Sequence, residues 1–310
     1  MRVALARSSS GSSDCRHSPV NTQRIVLAFN GHAASCAAVK WLAETRDADV
    51  VALIVDVGQG DDPEEVYGRA LACGARNAHV IDRCEEFARR AVVPAAEALA
   101  PLDERALRQL TYPVIAAALV EVAAIEGADT VAHASIDPML DAEIHALAHT
   151  LRVVAPAREW RAHHLVVEDY LKMHRLTPAA THPDRHLLMR RAMAAGTRGT
   201  LGTPGTFDTA TVTVGFEARV PRSVNGVAME LPELIESLSL IGRQCHIDDS
   251  NPVPALVLLQ GAYRASAGQG SVTLRLQAGS VVSGESRTRH GNNIATRPRQ
   301  GFAISRAATC

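Results

Sequence analysis

The sequence predicts an α/β protein, in which a parallel sheet covered by helices on both faces precedes a smaller α+β domain. Three observations predict it. Between residues 24 and 160, short apolar runs alternate with longer helix-like stretches, as they do when parallel strands are buried on both faces. The stretch "RIVLAFNGHAASCAAVKWL", residues 24–42, reads as strand, glycine turn and helix in one unit. From about residue 211 the character changes, and "TATVTVGFEARV" alternates apolar and polar residues as a half-buried antiparallel strand does.

In chain order, strands are expected at 24–29, 49–56, 78–82, 129–133 and 152–155, with helices between them. After the Asn30-Gly31-His32 turn, a helix starts near Ala33 and carries Trp41-Leu42 on its buried side. The next helix is well signalled. Asp62 can cap it, Pro63 suits its first turn, Glu64 and Glu65 favour its positive end, and Gly74 fits just past its end. Residues 85–100 and 103–127 are further helices, the second kinked or restarted at Pro113. Residues 161–210 are polar and carry little periodicity. Beyond them, "VNG" at 224–226 is a turn, and "LPELIESLSLIG" is a helix with Pro232 early and Gly242 after it. "ALVLLQ" (255–260) and "SVTLRLQ" (271–277) read as strands. The expected organisation is a disordered tail at 1–22, a first domain at 23–160, a second at 161–278 and a loose tail at 279–310.

Composition narrows the function. The chain has 310 residues, is 47% hydrophobic and 21% charged, and has a formal net charge of −1. That balance offers no electrostatic footprint for nucleic acid. No apolar run is expected to reach the roughly 18–20 residues of a membrane span. The six cysteines are scattered without a CxxC pair, so they read as reduced thiols in a cytoplasmic protein. Lys40 and Lys172 are the only lysines, which leaves arginine as the main cation.

The residues at the first turn carry the clearest chemistry. Backbone N–H groups at a strand-to-helix corner favour an anion. Gly31 and Ser35 can therefore cradle a phosphate, or they can form a plain turn with a serine cap. Asp141, His145 and His149 are spaced i, i+4, i+8 on one helix face, and two histidines at i, i+4 can hold zinc. A solvated polar face fits that spacing equally, and no third ligand is evident, so no metal ligand is assigned. Cys36, at a helix N-terminus, is a reactive thiol of lowered pKa or a small buried residue. No Ser-His-Asp order follows from spacing, and no catalytic residue is assigned.

Several ordered blocks resemble the argininosuccinate synthase family over residues 24–277. They are "IVLAFNGHAASC", "DVVALIVDVGQG", "ALACGARNAHVID", "EEFARRAVVPA", "LVEVAAIEGADTVAH", "VVAPAREW", "VNGVAMELPELIESLSLIG" and "GAYRASAGQGSVTL". The resemblance implies an N-type ATP-pyrophosphatase domain followed by a synthetase domain. It implies a reaction in which ATP adenylylates citrulline, pyrophosphate leaves, and the aspartate amine displaces AMP. The implied cofactor is ATP with Mg²⁺. Ala28, Phe29, Asn30, Gly31 and Ser35 would hold the nucleotide in the first loop, with Asp56, Gly58 and Gln59 bordering the adenine. Asp141 would stand for an acidic substrate ligand.

The departures from the family pattern fall on charged and polar positions. The family's Ser-Gly-Gly-Leu-Asp-Thr-Ser corresponds to Asn30-Gly31-His32-Ala33-Ala34-Ser35-Cys36, so the acid is lost at Ala34 and a glycine at His32. "APLDERALRQLTYP" keeps Pro113 of the citrulline-side run but not its Tyr, Thr, Ser and Arg. "HASIDPMLDAEIH" lacks the glycine loop and lysine, and Arg264 stands where the family has Glu. The match also ends before the family's C-terminal oligomerisation arm, so that tetramer arm is not expected, while a homo-oligomer or a protein partner stays open. The expected function is a non-catalytic, nucleotide-binding or scaffolding homologue that does not ligate citrulline and aspartate. The alternative is an active ATP-dependent C–N ligase acting on those substrates or on another acceptor.

Overall fold

The computed structural model describes residues 23–58, 62–100, 104–162, 166–179, 209–247, 254–277, 279–290 and 293–297. Strands β1 (Gln23–Ala28), β2 (Ala48–Asp56), β3 (Asn77–Asp82), β4 (Thr130–His133) and β5 (Arg152–Val154) form one parallel sheet in the order β3-β2-β1-β4-β5. Alternate residues of β1 serve opposite faces. Ile25 and Leu27 pack with α1 (Ala33–Arg46) and α2 (Pro63–Ala72), while Val26 packs with α5 (Glu104–Glu126) and α6 (Met139–Leu147). Each fully buried Ile or Leu side chain contributes about 1.5–3 kcal/mol relative to exposure, so this double burial fixes the register of the central strand.

The helix caps follow the sequence closely. The Asp62 carboxylate accepts the Glu64 N–H at 2.9 Å, and Gly74 has φ +101° just past α2. The segment after β3 is less regular: α3 (Cys84–Phe87) and α4 (Val93–Glu97) are joined by a π-helical turn over Ala88–Val92. Pro94, which lacks an N–H, sits just beyond that turn. Helix α5 is one continuous helix through Pro113, so it does not restart there as the sequence allowed. The proline faces solvent while its neighbours Tyr112 and Val114 are buried, so packing on both sides offsets the lost helix hydrogen bond. Gln109–Glu126 within α5 is also long and apolar enough to cross a membrane, contrary to the expectation that no run is. Here its Tyr112, Ala116, Leu119 and Val122 face lies on the sheet.

Residues beyond 160 do not leave the first sheet at once. Helix α7 (Pro156–Ala162) and helix α8 (Val167–Met173) place Trp160 and Leu171 in the core beneath α1. The Ala179 N–H then donates to the Gly31 carbonyl at 2.8 Å. The segment 166–179 therefore packs with the parallel sheet, not with the second domain assigned to it from sequence.

Strands β6 (Thr209–Glu217), β7 (Val220–Val224), β8 (Val227–Ala228), β9 (Ser271–Gln277), β10 (Ser280–His290) and β11 (Asn293–Arg297) form an antiparallel sheet in the order β11-β10-β9-β6-β7-β8. Helices α9 (Leu231–Gln244) and α10 (Pro254–Ser266) carry its core. Two expectations are corrected here. Residues 255–260, read as a strand, lie in α10. That helix is buried from Pro254 through Tyr263, so no polar face reveals a helical period. Residues 280–297, read as loose, pair as β10 and β11. Val281, Gly284 and Ser286 are the buried positions of β10, and the small residues among them leave little apolar alternation in the sequence. Residues 1–22 and 298–310, the other tail assignments, lie outside the described residues.

Gly242 does not end its helix. It sits inside α9, where an added Cβ would meet the Pro254 Cβ at 2.6 Å. Gly242→Val is expected to force α9 and α10 apart at a cost of about 1–3 kcal/mol. Urea unfolding followed by circular dichroism measures it, and an unchanged midpoint would contradict the close-approach role.

Candidate nucleotide site at the carboxyl ends of the strands

The chain leaves β1 toward β2 and β3, then returns to β4 on the other side of β1. A crevice opens at such a reversal, and in open α/β sheets it is where ligands bind. Ala28 pairs in register with His133, so the β1 loop and the β4 loop emerge side by side. Val57, at the end of β2, belongs to the core that the second sheet closes.

The first loop is a left-handed glycine turn that runs directly into the start of α1. Gly31 is buried with φ +75°, a conformation that glycine adopts without strain. His32 is the N-cap of α1 but makes no side-chain capping bond, and the Cys36 N–H closes the first turn on the His32 carbonyl at 3.0 Å. The N–H groups of Ala33, Ala34 and Ser35 therefore have no intrahelical acceptor. Asn30 supplies an acceptor of its own. Its Oδ1 takes the His32 N–H at 3.1 Å and lies 2.8 Å from the Ser35 Oγ. A phosphate oxygen would compete with that amide oxygen for the same two donors. No acid lies in the first turn of α1.

The second loop is built by Asp56 and Gly58. The Asp56 Oδ1 accepts the Gly58 N–H at 2.8 Å, and Gly58 has φ +86°. Gln59 lies outside the described residues. Of the other loop candidates, Ala28 ends β1, and Phe29 is buried with its N–H on the Leu53 carbonyl at 2.8 Å. The structure thus brings Ala28, Phe29, Asn30, Gly31, Ser35, Asp56 and Gly58 to one end of the sheet.

Asp141 has a different neighbourhood from the one its spacing suggested. His145 is exposed, and His149 lies past the end of α6. No group of three or more metal-type side chains occurs among the described residues. Instead, Asp141 Oδ1 lies 2.5 Å from His133 Nε2, and Oδ2 lies 2.5 Å from Arg158 Nη2. The Ser135 N–H is 3.2 Å from His133 Nδ1, which makes Nδ1 the acceptor and Nε2–H the donor to Asp141. Burial pushes the Asp141 carboxyl up, but the hydrogen bonds from His133 and Arg158 outweigh it and hold the carboxyl below its ordinary value. His133 and Arg158 were missed as site residues. They come from a strand end and a separate helix, and no local spacing joins them.

Of the two readings of Cys36, the structure bears out the small buried residue. It is buried, its thiol points at the Gly31 carbonyl at 3.3 Å, and its pKa is raised by contact with Cys73 and by burial. The helix N-terminus does not activate it. Cys36, Cys73, Cys84 and Cys245 are free thiols.

The Arginosuccinate synthase N-terminal HUP domain family matches residues 24–176. An argininosuccinate synthase from Pyrobaculum aerophilum is 32% identical over 288 residues, covering 79% of this chain and 72% of the relative. The chain belongs to the argininosuccinate synthase family. A second argininosuccinate synthase, from Koribacter versatilis, is 34% identical over 246 residues and covers 71% of this chain; the match spans 61% of the relative's own length. Among solved structures, a predicted subunit of a tRNA methyltransferase from Methanocaldococcus jannaschii aligns with 54% of this chain and 93% of its own, at 12% identity and a TM-score of 0.34.

Proposed function

We propose that this member of the argininosuccinate synthase family binds an adenine nucleotide in the 28–35 corner and does not join citrulline to aspartate. The observation that carries the reading is the state of Asp141. Both of its oxygens are engaged within the protein, by His133 and by Arg158. An incoming ammonium group would share a carboxylate that already accepts a buried imidazole N–H and a guanidinium, and it would meet the like charge of that guanidinium there.

The nucleotide half of the reading is supported by the N–H groups at the start of α1, the left-handed Gly31 and the buried Ser35 hydroxyl. ATP fits that donor set. A resident Mg²⁺ finds no acid in the first turn of α1. Any Mg²⁺ would arrive on the phosphates. The chain's own residues bind and orient. Gly31 lets the backbone approach the phosphate, the loop amides hold its charge, and Asp56 braces the second loop.

Incubation with Mg·ATP, citrulline and aspartate is expected to release pyrophosphate at the rate of a protein-free control. Formation of argininosuccinate and AMP in step with pyrophosphate would overturn the reading and favour the active ligase.

A further inference from the structure

We propose that Arg69, on the last turn of α2, is the cation that holds the nucleotide's phosphates at this corner. The inference rests on the nucleotide reading above and deepens it, by making the polyphosphate the recognised part of the ligand.

The position comes from Gly31. A Cβ added there would meet Arg69 Nη1 at 3.0 Å and Arg69 Cδ at 3.5 Å. The guanidinium therefore lies directly on the turn whose amides face the anion. Val66, one turn earlier on α2, stands 3.7 Å from the same point and packs the stem of the corner. α2 itself is held by its Asp62 cap, so the arginine is presented from a regular element and not from a loose loop.

The charge around it is the second observation. Other arginines near this end of the sheet are committed to carboxylates. Arg158 pairs with Asp141, and Arg83 with Glu86 and Glu121. Arg69 forms no ion pair with any carboxylate among the described residues. Neither lysine competes for the role, since Lys40 bonds Glu44 one turn along α1 and Lys172 approaches Asp169. A half-buried guanidinium with no carboxylate partner among the described residues, set on a glycine turn at the start of a helix, is complementary to a phosphate. Its planar edge offers two parallel N–H donors to two phosphoryl oxygens. It would also supply the positive charge that a loop without lysine otherwise lacks.

The test is calorimetric titration of the full chain with three probes: Mg·ATP, inorganic pyrophosphate and adenosine. Arg69→Met keeps most of the stem's packing and removes the charge. It is expected to weaken ATP and pyrophosphate at least tenfold and to leave adenosine unchanged. Arg69→Lys, which keeps a charge but not the fork, should fall between. If Arg69→Met binds ATP as the wild type does, the inference is overturned and the nucleotide reading stands. An equal loss of ATP and adenosine overturns it as well, because it shows a general collapse of the corner. A wild-type protein that binds neither ATP nor pyrophosphate overturns both.

Discussion

Gly31→Val is expected to remove measurable Mg·ATP binding while leaving the protein folded. The backbone at Gly31 has φ +75°, which a β-branched residue adopts only at a cost of at least about 1–2 kcal/mol. The new side chain would also be driven into Arg69, whose Nη1 stands 3.0 Å from the Cβ position. The turn must then reshape, and its amides no longer converge. The rest of α1 is anchored by Val39 and Leu42, which are fully buried, so helix and sheet should persist. Calorimetry reads the binding and circular dichroism the fold. Undiminished ATP affinity in a folded variant would mean that the nucleotide sits elsewhere.

Asp141→Ala is expected to destabilise the chain by about 1–3 kcal/mol at neutral pH, because it leaves the buried His133 N–H without an acceptor and removes Arg158's carboxylate partner. The effect should depend on pH in a definite direction. The native carboxyl titrates below its ordinary value of 3.8, so the unfolded chain takes up the proton first as pH falls. The stabilisation is complete above that ordinary value and is lost as pH drops through it toward the native one. The gap between wild type and variant should therefore close below about pH 4. Urea unfolding at pH 7 and pH 3 reads both parts. A gap that is constant across that range would show that Asp141 is not held as a paired carboxylate.

Much of the site was legible residue by residue, and little of it as an arrangement. The place of Gly31, Ser35, Asp56 and Gly58 at one end of the sheet is legible because a strand end, a glycine and a helix start are local signals. Asn30 was found with them, but its amide oxygen's hold on the His32 N–H and Ser35 was not, since a side-chain rotamer has no sequence signature. Asp141 was singled out for a spacing it shares with His145 and His149. Its actual partners are 8 and 17 positions away, on other elements.

The same division holds for the fold. The sequence by itself determined the five parallel strands, the Asp62 cap, the Gly74 stop and the first turn, because each depends on propensity, periodicity or backbone freedom within a few residues. Tertiary structure decided that 255–260 is helix, that 280–297 pairs as strands, that α5 passes through Pro113, and that Gly242 serves a close contact. It also decided that Arg69 lies on Gly31 and that His133 and Arg158 close on Asp141. In each of these cases the deciding energy is burial or charge pairing between distant segments, which exists only once the sheets and helices have packed.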